Sequence, residues 1–221
     1  VESWGVDVVD PRIEEGKAKI ASREAIVTAT ARATTENSLA GTHVVVTAGA
    51  TAEAVDHVRI LTTRASGKTG RAVARACHVR GADVTLVHDG GEVHYADTLQ
   101  VESAAEMRDA VFAAVEGAGG DAAPAADALV SAAAISDYTV GTAPEKLRSG
   151  EPRRLDLDPT PKLLDGVRDA YPALPIVGFK TETSGDDDAM ADAASDLRDR
   201  LNCAFVVAND ASVMGADDTR A

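Results

Sequence analysis

The chain has 221 residues, of which 45% are hydrophobic and 3% aromatic, and its formal net charge at pH 7 is -14. That length and composition suit one well-buried α/β domain. The acidic balance argues against a nucleic-acid partner, because phosphate backbones repel such a surface, and the few aromatic residues argue against base stacking. No stretch has the apolar length of a membrane span and Val1 opens no signal peptide, so we expect no membrane partner and a cytoplasmic protein with the acidic excess of a halophile.

The first forty residues lack the pattern of the rest of the chain. Residues 29–41, ATARATTENSLAG, are small, polar and without periodicity, which favours a linker. We therefore expect one unit at 1–40 and a separate domain at 41–221.

From His43 onward, short apolar runs alternate with helical stretches. The predicted strands are HVVVTA (43–48), ADVTLVHD (82–89), TLQVES (98–103), DALVSAAA (127–134), LPIVGF (174–179) and CAFVVAND (203–210). Helices are predicted from Ser66, from a capping box of Ser103 and Glu106, and over 187–201. This alternation predicts an α/β Rossmann-like doubly wound, mainly parallel sheet with helices on both faces, whose ligands bind beyond the carboxyl ends of the strands.

The stretch RILTTRASGKTG, residues 59–70, carries the clearest chemical signal. Ser66 is a good N-cap, and a helix that opens on Gly67, Lys68 and Gly70 leaves backbone N–H groups uncovered for a phosphate or carboxylate. The alternative is an ordinary capped helix whose glycines only permit close packing.

Two known phosphate-binding motifs are not matched by this sequence. A Walker A loop needs glycine where this chain has Thr62. A dinucleotide fingerprint needs three spaced glycines after the first strand, and only Gly49 is there.

Neither cysteine nor histidine indicates a metal site. Cys77 and Cys203 stand alone, as small buried hydrophobes do, and the histidines have no ligand spacing. After the fourth strand, Asp137 precedes a basic loop, TVGTAPEKLRSGEPRR (139–154), which we interpret as a flexible lid over an anion, or else as a solvated surface loop.

Taken together, these motifs resemble the phosphopantothenoylcysteine synthetase family. The matching positions in the first block are Thr47, Gly49, Thr51, Glu53, Asp56, Arg59, Ser66, Gly67 and Gly70. Later blocks that resemble the family are SAAAISDY (131–138), APEKL (143–147), VGFKTET (177–183) and VVANDAS (206–212). Residues 1–40 resemble the tail of the decarboxylase half of the bifunctional coenzyme A enzyme, whose missing body would hold FMN.

The resemblance implies ligation of 4′-phosphopantothenate to L-cysteine through an acyl-cytidylate, driven by CTP with Mg²⁺, in a homodimer or larger homo-oligomer. It implies catalytic roles for Lys146, Asp137 and Thr63, with Asp137 also a possible Mg²⁺ ligand. The implied nucleotide-binding residues are Ser131, Ala132, Ala133, Asp137, Lys146, Thr160, Pro161, Lys162, Leu163 and Phe179. The implied substrate-binding residues are Gly49, Arg59, Ser66, Gly67, Lys68 and Gly70.

One departure from the family pattern bears on the chemistry. Thr63 stands where the family has an asparagine thought to act on the acyl-cytidylate, and threonine donates only one hydrogen bond. A nicotinamide-dependent oxidoreductase and a non-catalytic nucleotide-binding module are the alternatives.

Overall fold

A computed structural model of the chain describes residues 8–117, 125–182 and 186–210. Its strands are β1 Arg12–Glu14, β2 Lys17–Lys19, β3 His43–Ala48, β4 Ala52–Ala54, β5 Ile60–Thr62, β6 Asp83–His88, β7 Asp97–Gln100, β8 Ala128–Ser131, β9 Tyr138–Val140, β10 Leu157–Pro159, β11 Ile176–Glu182 and β12 Phe205–Asp210. Its helices are α1 Arg23–Thr34, α2 Lys68–Val79, α3 Ala104–Glu116, α4 Leu163–Ala170 and α5 Asp187–Leu201. Among the helices of these ranges, none is both long and apolar enough to cross a lipid bilayer.

The centre of the fold is a six-stranded parallel sheet in the spatial order β12-β11-β8-β3-β6-β7. All six predicted strands are confirmed, and so is the doubly wound topology, because the chain builds one half of the sheet outward from β3 and the other half outward from β8. The switch point therefore lies where β3 and β8 end side by side.

Each face of the sheet carries its own apolar core. Along β3, Val45 belongs to one buried cluster with α3 and α4, whereas Val44 and Val46 belong to the other cluster with α2. Alternate residues of a strand point to opposite faces, so helices cover both sides as predicted.

The segment before the sheet is partly helical, so the interpretation of residues 29–41 as an unpatterned linker is wrong for its first half. Ser22 caps α1 by accepting the Ala25 N–H at 3.0 Å. The helix is rich in alanine, which favours helix without giving an apolar stripe, and the periodicity therefore did not indicate it. Arg32 ties α1 to the end of α2 by donating to the carbonyl oxygens of His78, Gly81 and Ala82. The assignment of residues 1–40 to a preceding unit stays a prediction.

Two antiparallel hairpins stand at the carboxyl edge of the sheet. β4 pairs with β5 directly after β3, and β9 pairs with β10 directly after β8. Both follow the switch-point strands, so they frame the region where a ligand is expected.

Candidate functional site

Backbone and threonine hydrogen bonds join the loops that follow β3 and β8. The pairs are Ala133 N–H to Thr47 Oγ1 (3.1 Å), Ala134 N–H to the Gly49 carbonyl (2.9 Å) and Ser136 N–H to Thr51 Oγ1 (2.8 Å). Thr47 and Thr51 are completely buried. The predicted residues Gly49 and Ala133 therefore belong to one connected surface at the switch point.

The start of α2 lies against this surface. Gly67 is its N-cap and Lys68 its first residue, so the prediction that the helix begins at Ser66 with that side chain as cap is wrong. Gly67 has a φ of 69°, in the left-handed region, and a Cβ on it would lie 2.8 Å from the Gly49 nitrogen. Only glycine fits both demands, and as the N-cap it offers the first turn of the helix no side-chain hydrogen bond. That the N–H groups of this first turn are open to an anion stays a prediction.

The next turn of α2 presses on the end of β3. A Cβ on Gly70 would lie 2.5 Å from the Ala48 Cβ and 2.7 Å from the Thr47 carbonyl oxygen. Arg71 then folds back over the helix start, where its guanidinium donates to the Ser66 carbonyl at 2.8 Å. Its charge adds to the positive end of the helix dipole, which favours an anion there.

Three of the predicted nucleotide residues come together beside the β8 loop. Thr160 donates its N–H to the Asp137 carbonyl at 2.9 Å and its hydroxyl to the Ser136 carbonyl at 2.6 Å. Lys162 Nζ lies 2.5 Å from Asp137 Oδ1, in a pair whose side chains are 58% and 68% exposed. Such a surface pair is weak, so both groups remain available to a ligand.

The surroundings of Asp137 do not fit a resident metal ion. Within the described ranges, no three His, Cys, Asp or Glu residues are placed to hold one. Magnesium commonly uses one carboxylate together with substrate phosphates, so Mg²⁺ would reach Asp137 only with the nucleotide.

The remaining nucleotide-binding predictions fall on less accessible positions. Ser131 is buried in the sheet between Thr47 and Gly178, followed by half-buried Ala132. Leu163 is 5% exposed and its side chain packs in the core, while Pro161 is exposed. Phe179 is half-buried and packs against the core on the α2 side.

The loop that carries Lys146 is fastened to the turn of the β4–β5 hairpin. The contacts are Thr142 Oγ1 to the Ala54 carbonyl (2.9 Å), Ala143 N–H to the Val55 carbonyl (2.9 Å), His57 Nε2 to the Pro144 carbonyl (3.0 Å) and Leu147 N–H to Asp56 Oδ2 (2.9 Å). The interpretation of the whole segment 139–154 as a flexible lid is therefore wrong for residues 139–147. Lys146 itself is exposed.

Two buried carboxylates on the hairpin explain how these loops are held. Glu53 accepts the Ala104 N–H at the start of α3 (2.9 Å) and the Thr139 hydroxyl (2.8 Å). Asp56 accepts the Leu147 N–H, the N–H groups of Val58 and Arg59, and the Arg59 guanidinium.

Both acids are positions of the sequence motif, but the motif alone predicts no role for them. The sequence feature that could have indicated their burial is their position beside the apolar residues Ala54 and Val55, because the other acids of the chain lie mostly on the surface. These bonds, the Leu147 N–H first, hold the pKa of Asp56 well below its usual range against the opposing effect of burial.

Arg59 is placed differently from its predicted substrate-binding role. Its Nη1 lies 2.5 Å from Asp56 Oδ2, and the side chain is 45% exposed. Part of the guanidinium is therefore already paired with Asp56, and substrate binding by Arg59 stays a prediction.

An open cleft of about 640 Å³ lies between the β4–β5 hairpin and the ends of β3, β6 and β7. Thr63 lines it together with Ile60, Ala50 and the carboxylates of Asp89 and Glu106. The Thr63 hydroxyl is 3.5 Å from the Ala134 carbonyl, at the edge of the switch point. Carboxylates repel phosphate, so we expect phosphate groups on the α2 and β8 side of Thr63 and not in this cleft.

His88, the last residue of β6, gives the site a testable pH dependence. It is 1% exposed, its Nε2 lies 3.1 Å from the Gly91 carbonyl, and its Nδ1 has no partner among the described residues. Burial lowers the pKa of this imidazole, with a smaller contribution from Arg71. Below about pH 6.5, His88 is protonated in the unfolded chain but stays neutral in the folded chain. The unfolded state therefore binds more protons, and the free energy of unfolding decreases as pH falls.

We therefore expect His88→Met to flatten the pH dependence of stability between pH 7.5 and 5.5. The difference in slope is at most about 1.4 kcal/mol per pH unit, measured by urea unfolding of both proteins at several pH values. Parallel slopes for the two proteins would show that His88 does not titrate differently in the folded and unfolded states.

Comparisons with known proteins agree with one another. The family described as DNA/pantothenate metabolism flavoprotein C-terminal domain matches residues 39–221. The coenzyme A biosynthesis bifunctional protein CoaBC of Thermococcus kodakarensis is 39% identical over 221 residues, which cover 99% of this chain and 53% of that protein. The protein of the same name from Methanocaldococcus jannaschii is 33% identical over 208 residues, covering 93% and 50%. The chain thus spans about half the length of the curated relatives it matches.

A solved structure adds likeness of fold. The crystal structure of the C-terminal domain of a CoaBC protein matches with a TM-score of 0.64 at 26% identity, covering 79% of each chain.

Proposed function

Because the chain belongs to the DNA/pantothenate metabolism flavoprotein C-terminal domain family, we propose that it ligates 4′-phosphopantothenate to L-cysteine at the expense of CTP. The names of the CoaBC relatives, which are coenzyme A biosynthesis proteins, support the pathway. The observation that carries the proposal is the start of α2, whose N-cap Gly67 packs against Gly49 at the same sheet edge as Asp137 and Lys162.

The proposed reaction has two steps. A carboxylate oxygen of phosphopantothenate attacks the α-phosphorus of CTP, the bond to the bridging oxygen of the β-phosphate breaks, and pyrophosphate leaves. The amine of cysteine then attacks the acyl carbon, loses a proton, and displaces CMP. Negative charge grows on phosphate oxygens in the first step and on a tetrahedral carbon's oxygen in the second, so preorganised donors and cations supply the catalysis.

The chain offers such groups on both sides of the switch point. The backbone N–H groups of the first turn of α2, with the Arg71 guanidinium beside them, would bind the anionic acyl substrate. Lys146, from its docked loop, and Lys162 would neutralise the triphosphate. Backbone groups of Ala132 and Ala133 would contact the cytidine. Asp137 would contact the nucleotide or coordinate its Mg²⁺.

Thr63 lies between the groups proposed to bind the two phosphorylated substrates and the acidic cleft. This position would allow it to act in the second step, the attack of the cysteine amine. Its hydroxyl would donate one hydrogen bond to the oxygen of the tetrahedral intermediate. The acidic cleft beside it would admit a substrate that carries an ammonium group.

A nicotinamide-dependent enzyme is a poorer fit to the same structure. The β4–β5 hairpin stands between the end of β3 and the start of α2, where a dinucleotide fold needs one tight glycine turn.

Assembly and context belong to the same proposal. Exposed apolar side chains on the two hairpins support a homodimer or larger homo-oligomer: Val58, Ile60, Tyr138 and Leu157. An FMN-dependent decarboxylase activity would belong to a further half of a parent protein. The net charge of -14 supports a salt-adapted enzyme, and a cytoplasmic location is part of the same proposal.

Pyrophosphate release tests the function. The 221-residue chain should release pyrophosphate with phosphopantothenate and CTP, and more slowly with ATP in place of CTP. Binding of CTP without release would favour the non-catalytic module, and oxidation of NADPH with a carbonyl substrate would favour the oxidoreductase.

A further inference from the structure

Asp56 makes more hydrogen bonds than a turn residue requires. Its Oδ1 accepts the N–H groups of Val58 (2.7 Å) and Arg59 (2.8 Å), which close the turn between β4 and β5. Its Oδ2 accepts the Arg59 guanidinium (2.5 Å) and the N–H of Leu147 (2.9 Å), which lies 91 positions further along the chain. The carboxylate side chain is 0% exposed, so these donors replace water completely.

One oxygen thus holds the hairpin turn and the other holds the loop after β9. The Leu147 N–H belongs to the peptide bond that Lys146 shares with Leu147, so the bond to Asp56 fixes the backbone from which the Lys146 side chain projects. The hairpin it is fixed to leads through β5 directly into Thr63.

We propose that Asp56 is a positioning residue that acts through Lys146, holding the nucleotide-side lysine at a set distance from the hairpin that carries Thr63. The role in turnover rests on the proposed function, whereas the docking of the loop does not. The alternative is that Asp56 only stabilises the turn at 55–59. In that case its effect on turnover would not depend on Lys146.

Asp56→Asn separates the two oxygens. With its carbonyl oxygen on the N–H groups of Val58 and Arg59, the amide NH₂ faces both the Leu147 N–H and the Arg59 guanidinium, donor against donor. The guanidinium is exposed enough to turn to water, so the loop is released while the turn can persist. Trypsin should then cut the Lys146–Leu147 bond about tenfold faster or more.

Two controls accompany that measurement. Residues 148–156 have no hydrogen bond to another described residue, so cleavage at Arg153–Arg154 is an internal reference that should change less than about twofold. Asp127→Asn removes another carboxylate that accepts a backbone N–H, that of His43, at the opposite end of the sheet, and should leave Lys146–Leu147 cleavage as it was.

A double-mutant cycle tests the coupling. Asp56→Asn should lower kcat/KM for CTP about tenfold or more, and in a Lys146→Ala background it should cost almost nothing further, because the group it positions is gone. Additive losses, or unchanged trypsin cleavage at Lys146–Leu147, would overturn the proposal.

If Asp56→Asn does not fold, Leu147→Pro removes the loop's N–H, together with the leucine side chain, and leaves the Asp56 turn contacts in place. It should reproduce the kinetic loss and speed cleavage at Arg148–Ser149; wild-type values for both would equally overturn the proposal. A wild-type chain that releases no pyrophosphate would instead overturn the proposed function, and the trypsin comparison would still decide whether Asp56 holds the loop.

Discussion

Replacing Lys146 by alanine should lower kcat/KM for pyrophosphate release about 10²–10³-fold. The ammonium group is the only cation of the docked stretch 141–147, and removing one preorganised donor from a developing negative charge typically costs that much. The side chain is exposed, so the free energy of unfolding should change by less than about 0.5 kcal/mol. Steady-state kinetics and urea unfolding of the same preparation check both statements.

Arg148→Ala is the matched control for Lys146→Ala. Arg148 is an exposed cation two positions further along, beyond the last hydrogen bond of the loop, and its loss should change kcat/KM less than tenfold. Equal losses in the two variants would mean that general basic charge on the loop, and not a positioned lysine, assists the reaction.

Gly67→Ala should destabilise the domain by about 2–4 kcal/mol and abolish most turnover. An alanine at φ 69° is strained, and its Cβ would lie 2.8 Å from the Gly49 nitrogen, a backbone atom that cannot move aside cheaply. The helix start would shift away from the end of β3, which moves the amides proposed to bind the acyl substrate. Denaturant unfolding gives the first effect and the KM for phosphopantothenate the second.

Gly91→Ala serves as the control glycine substitution. A Cβ at Gly91 meets nothing within 4 Å, and its φ is not in the left-handed region, so we expect a change within about 0.5 kcal/mol. A Gly67→Ala variant as stable as Gly91→Ala would contradict the tight contact between Gly67 and Gly49.

The sheet could be predicted because its information is local. Runs such as HVVVTA (43–48) are mostly apolar, and residues 44–48 of this run are buried. Parallel strands separated by helices also leave few topologies. The switch point followed from that order, and with it the neighbourhood of Gly49 and Ala133.

The hairpins and the docked loop could not be predicted, because tertiary contacts decide them. β4 and β5 have three residues each, too few to show alternation. Their stability comes from Glu53 and Asp56, whose partners Ala104 and Leu147 are far away in the chain. The N-cap was misplaced for a similar reason, since Ser66 has the better capping side chain but the contact with Gly49 selects Gly67.

The most direct test of carboxylate activation at this site is the fate of oxygen from the substrate. Phosphopantothenate labelled with ¹⁸O in its carboxylate is turned over with CTP and cysteine, and the ¹⁸O content of each product is measured by mass spectrometry. An acyl-cytidylate intermediate predicts one ¹⁸O in the CMP and one in the new amide. CMP without ¹⁸O, formed at the rate of product, would contradict attack of the carboxylate on the nucleotide and with it the proposed chemistry of the site.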